Sequence, residues 1–216
     1  MLERTPVPSD RKAFIASHIA QISEERLLGH LESLVGIRHP VTAPEGLRAG
    51  GAYIAGQMKS FGLDLLEETI EGEHNERFVN LIGRESGGRS GKKILVIGAH
   101  YDTVAESPGA DDNASGLAVM LEMARILAPL RGKLTPQFVA FSLEEEGFLG
   151  SDHYARQVRR NKIPALGGDY SRMRRLHRCA SRLADGAGRP ADEAAEPRRF
   201  HRPGRQCRRG ADSEGV

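Results

Sequence analysis

"KKILVIGAHYDTVAESPGADDNASG", residues 92–116, decides how the rest of the chain is read. It opens on a nearly unbroken apolar run, which suits a strand buried on both faces of a sheet. It then places His100, Asp102, Asp111 and Asp112 within one short connection. Charged side chains are costly to bury without a partner, so this connection is either solvated or converges on a cation. The apolar residues that follow, Leu117, Met120, Leu121, Ala124 and Leu127, share one helical face, with Ser115 or Asn113 available as the N-cap.

Working outward, "QFVAFSLEE" (137–145) reads as a second buried strand behind Pro136, and "SDHYARQVRR" (151–160) as the start of another helix. Strand, helix, strand, helix with short links predicts an α/β fold, a parallel sheet covered by helices. Upstream, 11–35 has helical spacing throughout with Ser9 or Asp10 as cap, and "APEGLRAGGAYIAGQMKSFG" (43–62) predicts a helix stopped at Gly62. "LDLLEETIE" and "FVNLIGRE" read as strands joined by a polar turn. Phe78, Phe138 and Phe141 are assigned to the core. His18, His30, His39, His74 and His153 are assigned no function.

The composition divides the chain. Net charge is +2 over 216 residues, yet 169–216 holds twelve Arg, no Lys and seven acidic residues, leaving the body with an acidic excess. The tail lacks apolar periodicity and does not offer enough apolar surface to order itself. The expected organisation is a globular body over 1–168 and an Arg-rich disordered tail over 169–216. No early apolar segment or long apolar run is present, so no membrane partner is expected and the expected location is cytoplasmic. Cys179 and Cys207 form neither a zinc-type cluster nor a disulfide framework.

In open α/β sheets, ligands gather at the carboxyl ends of the strands. His100 and Asp102 fall at that end of one strand, Glu144 and Glu145 at that end of the other. Imidazole with carboxylates and no thiolate favours zinc or a similar divalent ion.

The words "GAHYDTV", "SPGADDNASG" and "SLEEEGFLGS", in this order, resemble the zinc aminopeptidase family that also contains glutaminyl cyclases, metallopeptidase family twenty-eight. The upstream "LVGIRHP" shares the likeness, which runs from about Leu31 to Arg160. The resemblance implies a three-layer α/β/α fold around a mostly parallel mixed sheet, with residues 1–168 an incomplete catalytic domain. It implies removal of N-terminal residues from a peptide through a metal-activated water, with two zinc ions in an intact member. It implies that His100 binds one ion, Asp102 orients that imidazole, Asp111 bridges the two, and Glu145 binds the second. Glu144 is the implied base. A cis peptide bond is implied between Asp111 and Asp112. Two further ligands, a carboxylate ending the next strand and a late histidine, have no recognisable counterpart. His177 and His201 stand in unmatched surroundings, so weak metal binding and impaired activity are expected of this chain.

The tail suggests a cause. Codons permitted for "GDYSRMRRLHRCASR", read from the second base, can encode "AITLECVGYTDAPA", a buried-strand word containing a glutamate. The expectation is a frameshift of one base near Gly167 or Gly168, and sequencing the coding DNA decides it: stops or no strand-like word in the shifted frame end the idea. Two other readings remain open at this point. One is a glutaminyl cyclase-like acyltransferase. The other is a non-catalytic fragment whose basic tail binds nucleic acid or another partner, disfavoured because the tail lacks the aromatic interleaving of base-stacking surfaces.

Overall fold

The computed structural model describes residues 9–72, 76–87, 93–130, 132 and 134–165. The tail, the boundary drawn at 168, His74, His177, His201 and both cysteines lie outside the described residues.

The helical spacing of 11–35 is broken once. α1 spans Ser9–Ile19 and α2 spans Glu24–Leu34. Between them Ser23 caps α2: its Oγ accepts from Arg26 N, and Glu24 and Glu25 occupy the first turn, where the helix dipole favours acid. The Ser23 amide donates to Glu122 Oε1 at 3.0 Å, tying this break to the body of the molecule. α3, Pro44–Ser60, begins with proline in its first turn and is followed by Gly62 at φ 76°, a left-handed position glycine takes without steric cost.

A four-stranded sheet follows. β1 (Leu63–Glu71) and β2 (Arg77–Glu85) form an antiparallel hairpin. β3 spans Lys93–His100, and α4, Gly116–Leu127, crosses over to β4, Leu134–Phe141. The order is β1-β2-β4-β3, with β4 antiparallel to β2 and parallel to β3. The sheet is mixed, as expected, but among the described strands only the β3–β4 pair is parallel. β4 also starts earlier than its sequence suggests and contains Pro136. That is tolerated because pairing with β2 begins at Gln137, so the missing amide falls where β4 meets β3 alone. Beyond β3 the chain returns at Ala165, which bridges Ile94 in parallel.

Helices cover both faces. α3 packs on β1 and β2, and α4 on β3 and β4, while α5 (Leu149–Arg160) contacts β1 and β2. Alternation along β4 feeds both layers. Phe138 and Ala140 join Ile54, Met58, Leu117 and Leu121 in one core cluster; Val139 and Phe141 join Ile82, Tyr154 and Val158 in the other. Phe78 is packed against the first cluster and partly buried. No described helix is long and apolar enough to cross a membrane.

One buried amide links the two ends of this framework. Asn80, fully buried, accepts from Ser142 N at 3.1 Å and donates to Gly150 O at 2.8 Å and Glu68 Oε2 at 2.9 Å. It joins β2 to the segment after β4 and to α5. Asn80→Leu strands a buried amide and a buried carbonyl, at about 1–3 kcal/mol each. Urea unfolding of the variant is expected to show a loss of about 2–5 kcal/mol; a loss under about 0.5 kcal/mol, the usual range for surface substitutions, rejects the role.

Candidate metal centre

Parallel pairing of β3 with β4 sets His100 beside Phe141, so the two strands end together. His100 closes β3, and Tyr101 N donates to Phe141 O at 2.9 Å, which holds the two exits in line. Glu144 and Glu145 follow three and four residues past the end of β4, in the turn that leads to α5. That turn is fixed by Gly147 N and Phe148 N donating to Glu144 O.

Five side chains meet at this rim. His100 is buried, with Nδ1 3.1 Å from Asp102 O and 3.5 Å from Asp102 Oδ1. A proton held on Nδ1 toward Asp102 leaves Nε2 facing the rim, 2.8 Å from Asp112 Oδ1 and 3.9 Å from Glu144 Oε2. Asp102 is fully buried, and its Oδ2 accepts from Glu145 N at 3.0 Å, so one carboxylate braces both the histidine and the glutamate turn. His100, Glu144 and Glu145 each present a ligating atom within 4.8 Å of the others.

The charges do not balance by themselves. Burial pushes the Glu144 carboxyl up to about 7, against the attraction of His100 and with smaller repulsion from Glu145, Asp102 and Asp112. Glu145 is raised by burial and by Asp112. Burial opposes the imidazolium at His100, but hydrogen bonds from Asp102 and Asp112, with the charges of Asp102 and Glu144, push it up to about 10. A site that draws protons onto both its acids and its imidazole is short of positive charge. One imidazole, several carboxylates and no thiolate fit a borderline divalent cation such as zinc.

Five residues were expected here, and the structure brings four of them together: His100, Asp102, Glu144 and Glu145. Asp111 needs correction. It is Asp112, one residue on, whose carboxylate meets the histidine, while Asp111 is exposed and its backbone oxygen accepts from Ser115 Oγ at 2.8 Å. The cis peptide bond likewise lies between Asp112 and Asn113. Asp112 and Asn113 both leave helical geometry within the turn Ala110–Ser115, which swings the second aspartate toward β3. Of the two N-cap candidates for α4, Asn113 acts: its Oδ1 accepts from Gly116 N at 3.1 Å, whereas Ser115 makes no such bond.

Two neighbours escaped the sequence reading. His39 Nδ1 accepts from Val41 N and Thr42 N, and its Nε2 lies 3.6 Å from Glu146 Oε1, beside the glutamate turn. Arg38 is buried beneath the loop that carries Asp112. Their only signal was their place in "LVGIRHP". His30, also set aside, is buried with Nδ1 2.8 Å from Tyr53 Oη, remote in sequence from these loops.

Residues 80–166 match the family model described as Peptidase family M28, and all five rim side chains lie inside the match. This segment is similar to peptidase family M28. Over 90 residues the chain is 41% identical to aminopeptidase YwaD of Bacillus subtilis, covering 41% of this chain and 20% of that protein. It is 26% identical over 181 residues to a probable zinc metalloprotease of Pyricularia oryzae, covering 72% of this chain and 36% of the other. Among solved structures it is similar to the glutaminyl cyclase of Porphyromonas gingivalis, with a TM-score of 0.56, 27% identity, and 67% and 57% of the two chains covered. LapB of Legionella pneumophila gives a TM-score of 0.61, 25% identity, and coverage of 74% and 46%. The chain thus spans from a fifth to about two fifths of these sequence relatives' length. At family level the likeness is to metal-dependent hydrolases.

Proposed function

We propose that the M28-like segment carries the nucleophile-activating part of a zinc-dependent aminopeptidase. The observation that supports it most is the convergence of His100, Asp112, Glu144 and Glu145 where β3 and β4 end. In this reading His100 Nε2 and Asp112 hold one ion, Asp112 and Glu145 a second, and Asp102 fixes the imidazole. Bound there, zinc lowers the pKa of a water and polarises the scissile carbonyl.

Glu144 has the remaining task. A carboxylate spent on coordination loses basicity, so the base must be a separate group near the same point. Glu144 is partly buried and already drawn up to about 7, close to the operating range of a general base. It takes a proton from the attacking water and returns it to the leaving amine. A substrate's free α-amine, placed beside the acidic rim, accounts for a preference for the N-terminal peptide bond.

Zinc sites that catalyse usually use three protein ligands plus water. The described residues offer each ion two, so the 216-residue chain is expected to bind zinc weakly and to turn over slowly. The test is release of nitroaniline from leucine p-nitroanilide by the purified chain, with zinc added and with chelator. Slow, zinc-dependent release supports the reading. Zinc-independent release, or no zinc uptake at millimolar metal, rejects it.

The solved glutaminyl cyclases favour a second reading, in which the same residues assist attack of an N-terminal glutamine's own amine on its side-chain carbonyl, forming pyroglutamate and releasing ammonia. Incubation with a Gln-initiated peptide separates the two: loss of 17 mass units marks cyclisation, loss of the whole residue marks hydrolysis.

A further inference from the structure

Arg38 sits between α2 and α3 and is 2% exposed. Among the described residues its guanidinium makes no ion pair, and every acceptor is a backbone carbonyl. Nε donates to Tyr101 O at 2.8 Å, Nη1 to Leu34 O, to Gly36 O at 2.7 Å and to Pro108 O at 3.3 Å, and Nη2 to Gly109 O at 3.2 Å. The backbone reinforces this: Arg38 N donates to Thr103 Oγ1 at 2.9 Å, and Thr103 N donates to Arg38 O at 3.2 Å.

These acceptors bracket the metal centre. Tyr101 follows His100 directly, and Pro108 and Gly109 lead into the turn that bears Asp112. Gly109 has φ 59°, and a Cβ there would stand 2.3 Å from Thr103 Cγ2, 2.6 Å from Asp112 O and 3.0 Å from Arg38 Nη2. The loop is therefore pressed against the guanidinium with no room for a side chain.

We propose that Arg38 is a positioning residue for the metal centre, its planar fork clamping the carbonyls after His100 and before Asp112 so that the two ligands keep the spacing a shared ion requires. The proposal rests on the metal reading above, and it concerns this chain's own loop. Lysine cannot replace the fork, because one ammonium on a flexible stem cannot span carbonyls on both sides.

The experiment uses the full chain with Arg38→Lys and Arg38→Met, and Val158→Ala on α5 as a destabilised control remote from the loop. Zinc affinity, measured by chelator competition, is expected to fall about 10–100-fold in both Arg38 variants, the range for groups that orient ligands. In metal-free protein, amide exchange over Ala110–Ser115 is expected to quicken at least about 10-fold, while Phe138–Ala140 in β4 stay protected. Arg38→Lys, which keeps the charge, carries the test where Arg38→Met does not fold. Unchanged loop exchange in the Arg38 variants overturns the proposal, as does an equal loss of zinc affinity in Val158→Ala. If the parent chain takes up no zinc, the metal reading fails on its own, and loop exchange still decides the clamp.

Discussion

Glu144→Gln is expected to reduce zinc-dependent hydrolysis by about 10²–10⁴-fold, the range for loss of a general base, while zinc affinity changes little. The two readouts separate because glutamine keeps the size of the side chain and loses the ability to take a proton. The substitution also removes a carboxyl whose ionisation burial disfavours, its pKa being drawn up to about 7. Above that pH an acid with a raised folded-state pKa costs stability, so the metal-free variant is expected to be slightly more stable there, checked by the urea midpoint. A variant that folds, binds zinc and keeps the parent rate would take the base role away from Glu144. A variant that loses zinc instead would make Glu144 a ligand, a role its 3.9 Å approach to His100 Nε2 leaves geometrically open.

The elements of this fold were legible where side-chain period and punctuation agreed. β1 matches its sequence word residue for residue, and Leu117, Met120, Leu121 and Ala124 face inward from α4 as their spacing requires. Gly62 ends α3 because its left-handed φ is available without strain. What the sequence hid was tertiary. The break between α1 and α2 depends on Ser23 meeting Glu122, ninety-nine residues away, and no local signal announces such a contact. The direction of β2 against β4 is likewise unreadable from an apolar run, since either direction buries the same faces.

The site was legible as a set of residue types at strand ends, and less so as a ligand list. Strand ends can be placed from apolar runs, which located His100, Asp102, Glu144 and Glu145. The buried arginine was not found because cations are rarely buried, and nothing local shows that five carbonyls are folded around one. Asp111 and Asp112 are chemically identical neighbours, and only the backbone of the turn decides which one faces the histidine.

That ambiguity yields a sharp comparison. Asp112→Ala is expected to weaken zinc binding by at least about 100-fold, more than the 10–100-fold typical of groups that merely orient ligands, whereas Asp111→Ala is expected to stay within about threefold of the parent. Both side chains are exposed, so neither truncation leaves a cavity. Asp111→Ala is expected to unfold within about 0.5 kcal/mol of the parent, and Asp112→Ala, which removes a hydrogen bond from the buried His100, to lose about 0.5–1.5 kcal/mol. Neither loss unfolds the chain, so the contrast in zinc affinity comes from coordination. Asp112 Oδ1 is 2.8 Å from His100 Nε2, and removing it leaves His100 without the carboxylate that would share its ion. Asp111 engages the fold through its backbone oxygen, which alanine retains. Zinc titrations of the two variants in parallel decide the matter. Equal, parent-like affinity in both would mean that the hydrogen bond between Asp112 and His100 is an ordinary surface contact, and would remove the central ligand from the proposed site. A loss confined to Asp111→Ala would mean that the turn Ala110–Ser115 rearranges when the ion enters, exchanging one aspartate for its neighbour.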